Sequence, residues 1–190
     1  MSCNNKIMKL QDIVKQAEDI YLSGEDVVEL TDHRCRIMKY SDLMFVSSID
    51  EVLDVDGSVI ILYQKEKNKG HFCLLTNRYK EGSLYFFDPY GYDLDEEVKL
   101  ADFQIRNMGG EIVPHLTHLI EKSNYDLIVN KIQYQEFEEH VSTCGRHCVV
   151  RLNYINLDDT EYNTFINKNS HYNADFWVSV LTIDFHNYLE

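Results

Sequence analysis

The chain has 190 residues, enough for one domain that buries a substantial core without staples. Its 44% hydrophobic and 12% aromatic content, with only two prolines, excludes a disordered or Pro-rich chain. The formal charge of −14, with scattered Lys and Arg, argues against nucleic-acid binding, which takes a basic field or stripe, and favours basic or neutral polypeptide partners over anionic membranes.

The N-terminal Met-Ser-Cys-Asn-Asn-Lys carries no secretory h-region and no apolar run reaches spanning length, so an intracellular protein is expected, neither secreted nor membrane-bound. Five cysteines (Cys3, Cys35, Cys73, Cys144, Cys148) are an odd number at irregular spacing, which argues against a disulfide framework.

In chain order, Leu10, Ile13, Val14, Ala17, Ile20 and Tyr21 keep helical spacing and predict an amphipathic helix ended by Ser23-Gly24. Val27, Val28 and Leu30 form a short helix or an extended piece, and Ser48-Ile49-Asp50-Glu51 matches a capping box opening a short helix closed by Asp56-Gly57. Three runs rich in β-branched and aromatic residues, 59–63, 71–76 and 84–87, predict a meander of antiparallel strands, which Pro89-Tyr90-Gly91 ends. Helices are expected over 94–108, stopped by Gly109-Gly110, and over 111–123; a strand is expected from Leu127 toward Gln135. Further helices follow from Cys144, over 158–166, and over 175–188 with Phe176, Val178, Val180, Leu181 and Phe185 as an apolar face. The sum is α+β: a small central mixed or antiparallel sheet with helices around it, and the Cys144 helix buried against it. One domain is expected over 1–190, with an N-terminal helical region over 1–57, a core over 58–155 and C-terminal helices over 156–190.

The run Ser142-Thr143-Cys144-Gly145-Arg146-His147-Cys148 places a cysteine at the mouth of an apolar helix. There the unpaired N–H groups and the macrodipole favour a thiolate, and Gly145 allows another backbone to approach the sulfur. A thiol nucleophile needs a base, an orienter and oxyanion donors. His71 is the candidate base, its ring exposed at a strand edge. Asp88 is the candidate orienter, ending the neighbouring strand. Gln135, with Gln133 as the alternative, is the candidate donor beside the Cys144 N–H. Cys148 is expected to pack on the sheet, Cys73 to be structural, Cys35 partly buried, and His147 to lie on the helix surface near the site. Cys144, His147 and Cys148 form a partial metal-ligand set and His115 with His118 a helix-compatible pair, but no second ligand pattern completes a site. Neither metal nor cofactor is required. The acidic clusters Asp93 to Glu97 and Glu136 to Glu139 are expected to be solvated, the second close enough to the cleft to select basic residues.

The order Gly70-His71-Phe72, Phe87-Asp88-Pro89-Tyr90-Gly91, glutamine, Thr143-Cys144-Gly145 resembles the papain-like cysteine proteases of the adenoviral maturation and ubiquitin-like-protein protease group. Tyr40-Ser41-Asp42-Leu43 and Thr143 to His147 extend the resemblance, over residues 40–155, to maturation proteases of virophages, Polinton-type elements and large DNA viruses. Phe72 stands where that group often has tryptophan. The resemblance implies a papain-like fold and an endopeptidase that cleaves capsid precursors after small residues in a Gly-Gly or Gly-X context. It further implies a protein packaged in the virion from host cytoplasm or virus factory, with a peptide activator as one partner. An isopeptidase for ubiquitin-like modifiers, an acyltransferase using the same triad and an inactive binding module are the alternatives.

Overall fold

The fold is built on a short central ladder whose residues are apolar on both faces. In a computed structural model, which describes residues 2–66, 69–96, 113–168 and 171–183, five strands lie in sequence order across one mixed sheet: β1 (Arg36–Lys39), β2 (Ser58–Glu66), β3 (Lys69–Thr76), β4 (Ser83–Phe87) and β5 (Asp126–Val129). β2, β3 and β4 form the expected antiparallel meander, while β1 and β5 join its two edges in parallel. α1 (Ser2–Asp19) and α2 (Gly24–Leu30) precede β1; the parallel edges follow from chain return, through residues 40–57 between β1 and β2 and through a connection that includes α3 (His115–Glu121) between β4 and β5. The protein is therefore α+β, with helices on both faces of a mixed sheet.

Strand alternation divides the core into two layers. Ile60, Phe72, Leu74, Tyr85 and Phe87 face α4 (Cys144–Asn153), α5 (Asp159–Ile166) and α6 (Ala174–Thr182). Val59, Ile61, Cys73, Leu75 and Phe86 face α3 and two 3-10 turns, Tyr40–Phe45 and Ile49–Glu51. In the first layer the Arg151 guanidinium lies 5.2, 4.8 and 4.6 Å from the ring centroids of Tyr79, Tyr85 and Tyr162. It also donates to the carbonyls of Tyr154 and Leu157 and to Asp159.

Several expectations are corrected. α1 stops at Asp19, leaving Ile20 and Tyr21 52% and 55% exposed. Ser23-Gly24 begins a helix instead of ending one, because Ser23 and Asp26 form a reciprocal capping box that starts α2. At Ser48 the side chain caps no backbone N–H, and the segment makes one 3-10 turn. The Tyr40-Ser41-Asp42-Leu43 run lies within a 3-10 turn. β5 ends at Val129, so Gln133 and Gln135 lie in an irregular loop and not on a strand. The Asn130 side chain redirects the chain there, accepting from the Asp88 N–H and donating to the Asp88 and Ile132 carbonyls. Helix 111–123 is shortened to α3, with 111–112 outside the described residues; of the helix expected over 94–108, Leu94 and Asp95 make a turn, Glu96 is helical, and 97–108 lie outside the described residues. α6 ends at Thr182, and 184–188, Phe185 among them, lie outside the described residues; of the expected apolar face Val178 is buried but Leu181 is exposed, and the other buried positions are Ala174, Asp175, Ser179 and Thr182.

One irregularity positions the site. The β3–β4 ladder covers only Leu74 to Thr76, opposite Phe87 to Tyr85. His71 to Cys73 are therefore flanked by β2 on one side only, and the first turns of α4 fill the open side.

Candidate active site

Cys144 is the first residue of α4, so its N–H has no intrahelical acceptor. Thr143, at the N-cap, does not cap the helix with its side chain; its hydroxyl donates to Asp175 instead. Gly145 matters for crowding: a Cβ there would stand 3.3 Å from Phe72 Cδ2, 3.4 Å from Val27 Cγ2 and 3.5 Å from Leu22 Cβ. Side chains crowd Gly145 itself, while the backbone that approaches the sulfur is that of Phe72, whose N–H bonds Cys144.

His71 is buried, contrary to the exposed strand edge expected, because Tyr90 lies flat on it with ring centroids 4.7 Å apart and planes 15° from parallel. Its Nε2 lies 3.0 Å from Asp88 Oδ1, which leaves Nδ1 for Cys144. Asp88 follows the last residue of β4 and is opposed to Cys73, one step past the end of the ladder; the Cys73 thiol donates to Asp88 Oδ2 at 3.2 Å. The Tyr90 N–H donates to Asp88 Oδ1 at 2.7 Å. The carboxylate is thus held by donors on both oxygens, which fixes the imidazole's orientation.

The electrostatics follow from this packing. Burial opposes a charge on His71, but hydrogen bonds to Asp88 and Cys144 and the charges of both push its pKa up to about 10. Burial likewise opposes a thiolate at Cys144. The His71 hydrogen bond and charge, with backbone N–H groups of Phe72 and Gly145, outweigh it and lower the thiol's pKa. One turn on, Cys148 has no such partner: burial and the nearby Cys144 raise its pKa, and its thiol donates to the Phe72 carbonyl at 3.3 Å. Cys148 packs on the sheet as expected. Cys35 is fully rather than partly buried, its thiol pushed up by burial.

A cleft of about 800 Å³ opens beside Cys144, with His71, Phe72, Tyr90 and Gln135 on one side and the α1–α2 link, from Asp19 to Gly24, on the other. Three contacts seat that link against the Cys144 segment: Ser142 N–H to the Glu18 carbonyl at 2.7 Å, Arg146 to the Ile20 carbonyl at 3.4 Å, and His140 to Asp19 at 3.4 Å. Arg146 also donates to Thr182 Oγ1 at 2.7 Å, which couples the link to α6. Glu139 reaches the cleft wall, the member of the 136–139 acidic cluster that does.

Of the two glutamines, Gln135 lines the cleft with Cys144, and it is buried. Its backbone N–H donates to the Pro89 carbonyl at 3.0 Å, and its Nε2 gives one hydrogen to the Val141 carbonyl at 3.1 Å, leaving a second. Gln133 donates to the Gln135 carbonyl at 2.9 Å and so supports the same loop.

His147 is fully buried, not on the helix surface as its sequence position suggested; its Nε2 lies 2.9 Å from Asp175 Oδ1. Asp175 carries no sequence motif, and the signal for it was a lone carboxylate in the apolar run Ala174 to Val180, two residues past an Asn N-cap. Tyr90 and Cys73 were also missed as groups that pack or bond the His71–Asp88 pair. The cysteine–histidine sets considered for a metal do not assemble among the described residues. The grouping that does is His71, Cys73 and Asp88, with ligand atoms within 4.8 Å of one another. Their mutual hydrogen bonds account for this proximity. Among the described residues no helix is long and apolar enough to cross a membrane.

No protein-family model matches the chain. A Sputnik virophage protein, named as uncharacterized protein V9, is 31% identical over 173 residues, which span 90% of this chain and 98% of that protein. With that identity along nearly the whole of both chains, the protein belongs to the same family as the virophage protein V9.

Proposed function

We propose that the protein is a papain-like thiol endopeptidase acting on precursor polypeptides of a virophage-type particle, as the resemblance implies. The observation that carries this reading is the buried line Cys144, His71, Asp88, with a lowered thiol pKa at a helix start and a raised imidazole pKa beside it. A structural cysteine would behave as Cys148 does, with its thiol pKa raised by burial.

In this reading the Cys144 thiolate attacks the scissile carbonyl. The Cys144 N–H and the second Gln135 Nε2 hydrogen receive the oxyanion. His71, as imidazolium, protonates the leaving amine, then takes a proton from the water that hydrolyses the acyl-enzyme. Asp88 and Tyr90 hold the ring through both steps. Gly70 and Gly145 line the cleft; the preference for small residues at the bond is what the resemblance implies. The chemistry requires no cofactor.

The test is labelling with a vinyl sulfone ending in Gly-Gly, mapped by mass, on the wild type, Cys144→Ala and His71→Ala. Labelling at Cys144 that both substitutions abolish is the expected result, and release of peptides from a capsid precursor then separates the endopeptidase from an isopeptidase or acyltransferase. An unlabelled Cys144, with other thiols reacting equally in all three proteins, sinks the reading and leaves a binding module.

A further inference from the structure

Asp175 belongs to α6, outside the line Cys144, His71, Asp88, yet it touches both halves of the machinery that the proposed reaction needs. The carboxylate is completely buried in the first turn of α6, where the helix dipole favours a negative charge. Its Oδ1 takes the hydroxyl of Thr143, the residue before the nucleophile, and lies 2.9 Å from His147 Nε2, one turn into the same helix. Its Oδ2 accepts the Glu136 N–H at 2.9 Å, on the residue after Gln135.

Gln135 is therefore suspended between two anchors. Its own N–H is bound to the carbonyl of Pro89, beside Asp88, and the next N–H is bound to Asp175. A loop without secondary structure would otherwise leave the Gln135 amide free to drift relative to the start of α4. A misplacement of about 1 Å is enough to weaken a preorganised oxyanion donor.

We propose that Asp175 is a positioning residue that sets the distance between the Gln135 amide and the Cys144 N–H, and so assembles the oxyanion hole. This rests on the reading of Cys144 as nucleophile and Gln135 as oxyanion donor. Asp175 acts through its three donors and touches no substrate.

The full chain is compared with Asp175→Ala, Asp175→Asn, Gln135→Ala and the double variant Asp175→Ala/Gln135→Ala. Peptide turnover, Cys144 alkylation by iodoacetamide and the thermal midpoint are measured for each. Alkylation at a tetrahedral carbon forms no oxyanion, so it reads the thiolate alone. Gln135→Ala should lower kcat by about 100-fold, the usual loss for one oxyanion donor. Asp175→Ala should lower it by roughly 30-fold, with KM and the alkylation rate within about threefold, and the double variant should be no slower than Gln135→Ala by more than about threefold. Asp175→Asn keeps the volume but cannot accept on both sides, so it should fall between wild type and Asp175→Ala. Folded Asp175 variants with wild-type kcat, losses that multiply in the double variant, alkylation falling in step with kcat, or loss of folding in both single variants would each overturn the proposal. A wild type without turnover refutes the proteolytic reading itself, and this inference with it.

Discussion

Tyr90 and His71 lie face to face, 4.7 Å between centroids, and the far face of Tyr90 carries Phe137 at 4.3 Å, itself 58% exposed. The imidazole is shielded by two stacked rings rather than by a rigid wall. Replacing Tyr90 by Leu removes the stack but keeps the backbone N–H that holds Asp88. Turnover should fall by about tenfold and stability by about 1 kcal/mol, the contribution of a stacked aromatic pair. Kinetics and urea unfolding on the same variant would show both.

The pH profile should be wide. An imidazole in the unfolded chain titrates near 6.5, so the pairing of His71 contributes stability fully below roughly that pH and loses it as pH rises through about 10. Cys144, with a lowered pKa, contributes in the opposite sense: its share is present above the ordinary thiol range and is lost as pH falls through the folded value. Turnover needs thiolate and imidazolium together, so its alkaline limb should lie near about 10. Asp88→Asn should move that limb down, and an unmoved limb in the variant would show that Asp88 does not hold the charge.

Gly70 precedes the base for a steric reason. A Cβ at this position would come within 2.5 Å of the Tyr63 carbonyl oxygen and 2.7 Å of Leu62 Cδ1, so β2 and β3 would have to part. Gly70→Ala should cost about 3 kcal/mol, at the upper end for overpacking, and should displace His71 as well. Denaturant midpoints and Cys144 alkylation rates should fall together.

Arg151 is a fold element whose loss should spare the chemistry. Arg151→Met keeps the apolar stem but leaves the Tyr154 and Leu157 carbonyls and Asp159 short of a donor. A loss of about 3 kcal/mol is expected, as for breaking a buried charged contact. Per folded molecule, the rate of Cys144 alkylation should stay at the wild-type value.

The line Cys144, His71, Asp88 was legible because each residue sits near a local boundary that sequence marks well: a helix start after two hydroxyl residues, the first residues of a strand beside a glycine, a turn before Pro89-Tyr90-Gly91. The three antiparallel strands were legible from their apolar runs. What escaped were features set by tertiary distance. β1 is four residues long and pairs in parallel with a strand that begins only at Ser58, which leaves no local pattern. His147 looked like a surface residue because its partner, Asp175, lies twenty-eight residues away. Ser23-Gly24 misled for a different reason: serine opens helices and glycine closes them, and here the capping bond from Ser23 decided.

The gap beside β3 has a geometric consequence. Phe72 offers its N–H to Cys144 and its carbonyl to Cys148, the two groups that a neighbouring strand would otherwise have paired. Two sulfurs one helical turn apart thus complete the hydrogen-bonding of a single strand residue, and α4 stands in for a missing strand. The pitch of an α-helix is thereby measured against one peptide unit of β3, so the nucleophile is gauged along the sheet by the same residue whose neighbour is the base. A slip of β3 by one position would turn His71 to the other face and break both sulfur contacts at once.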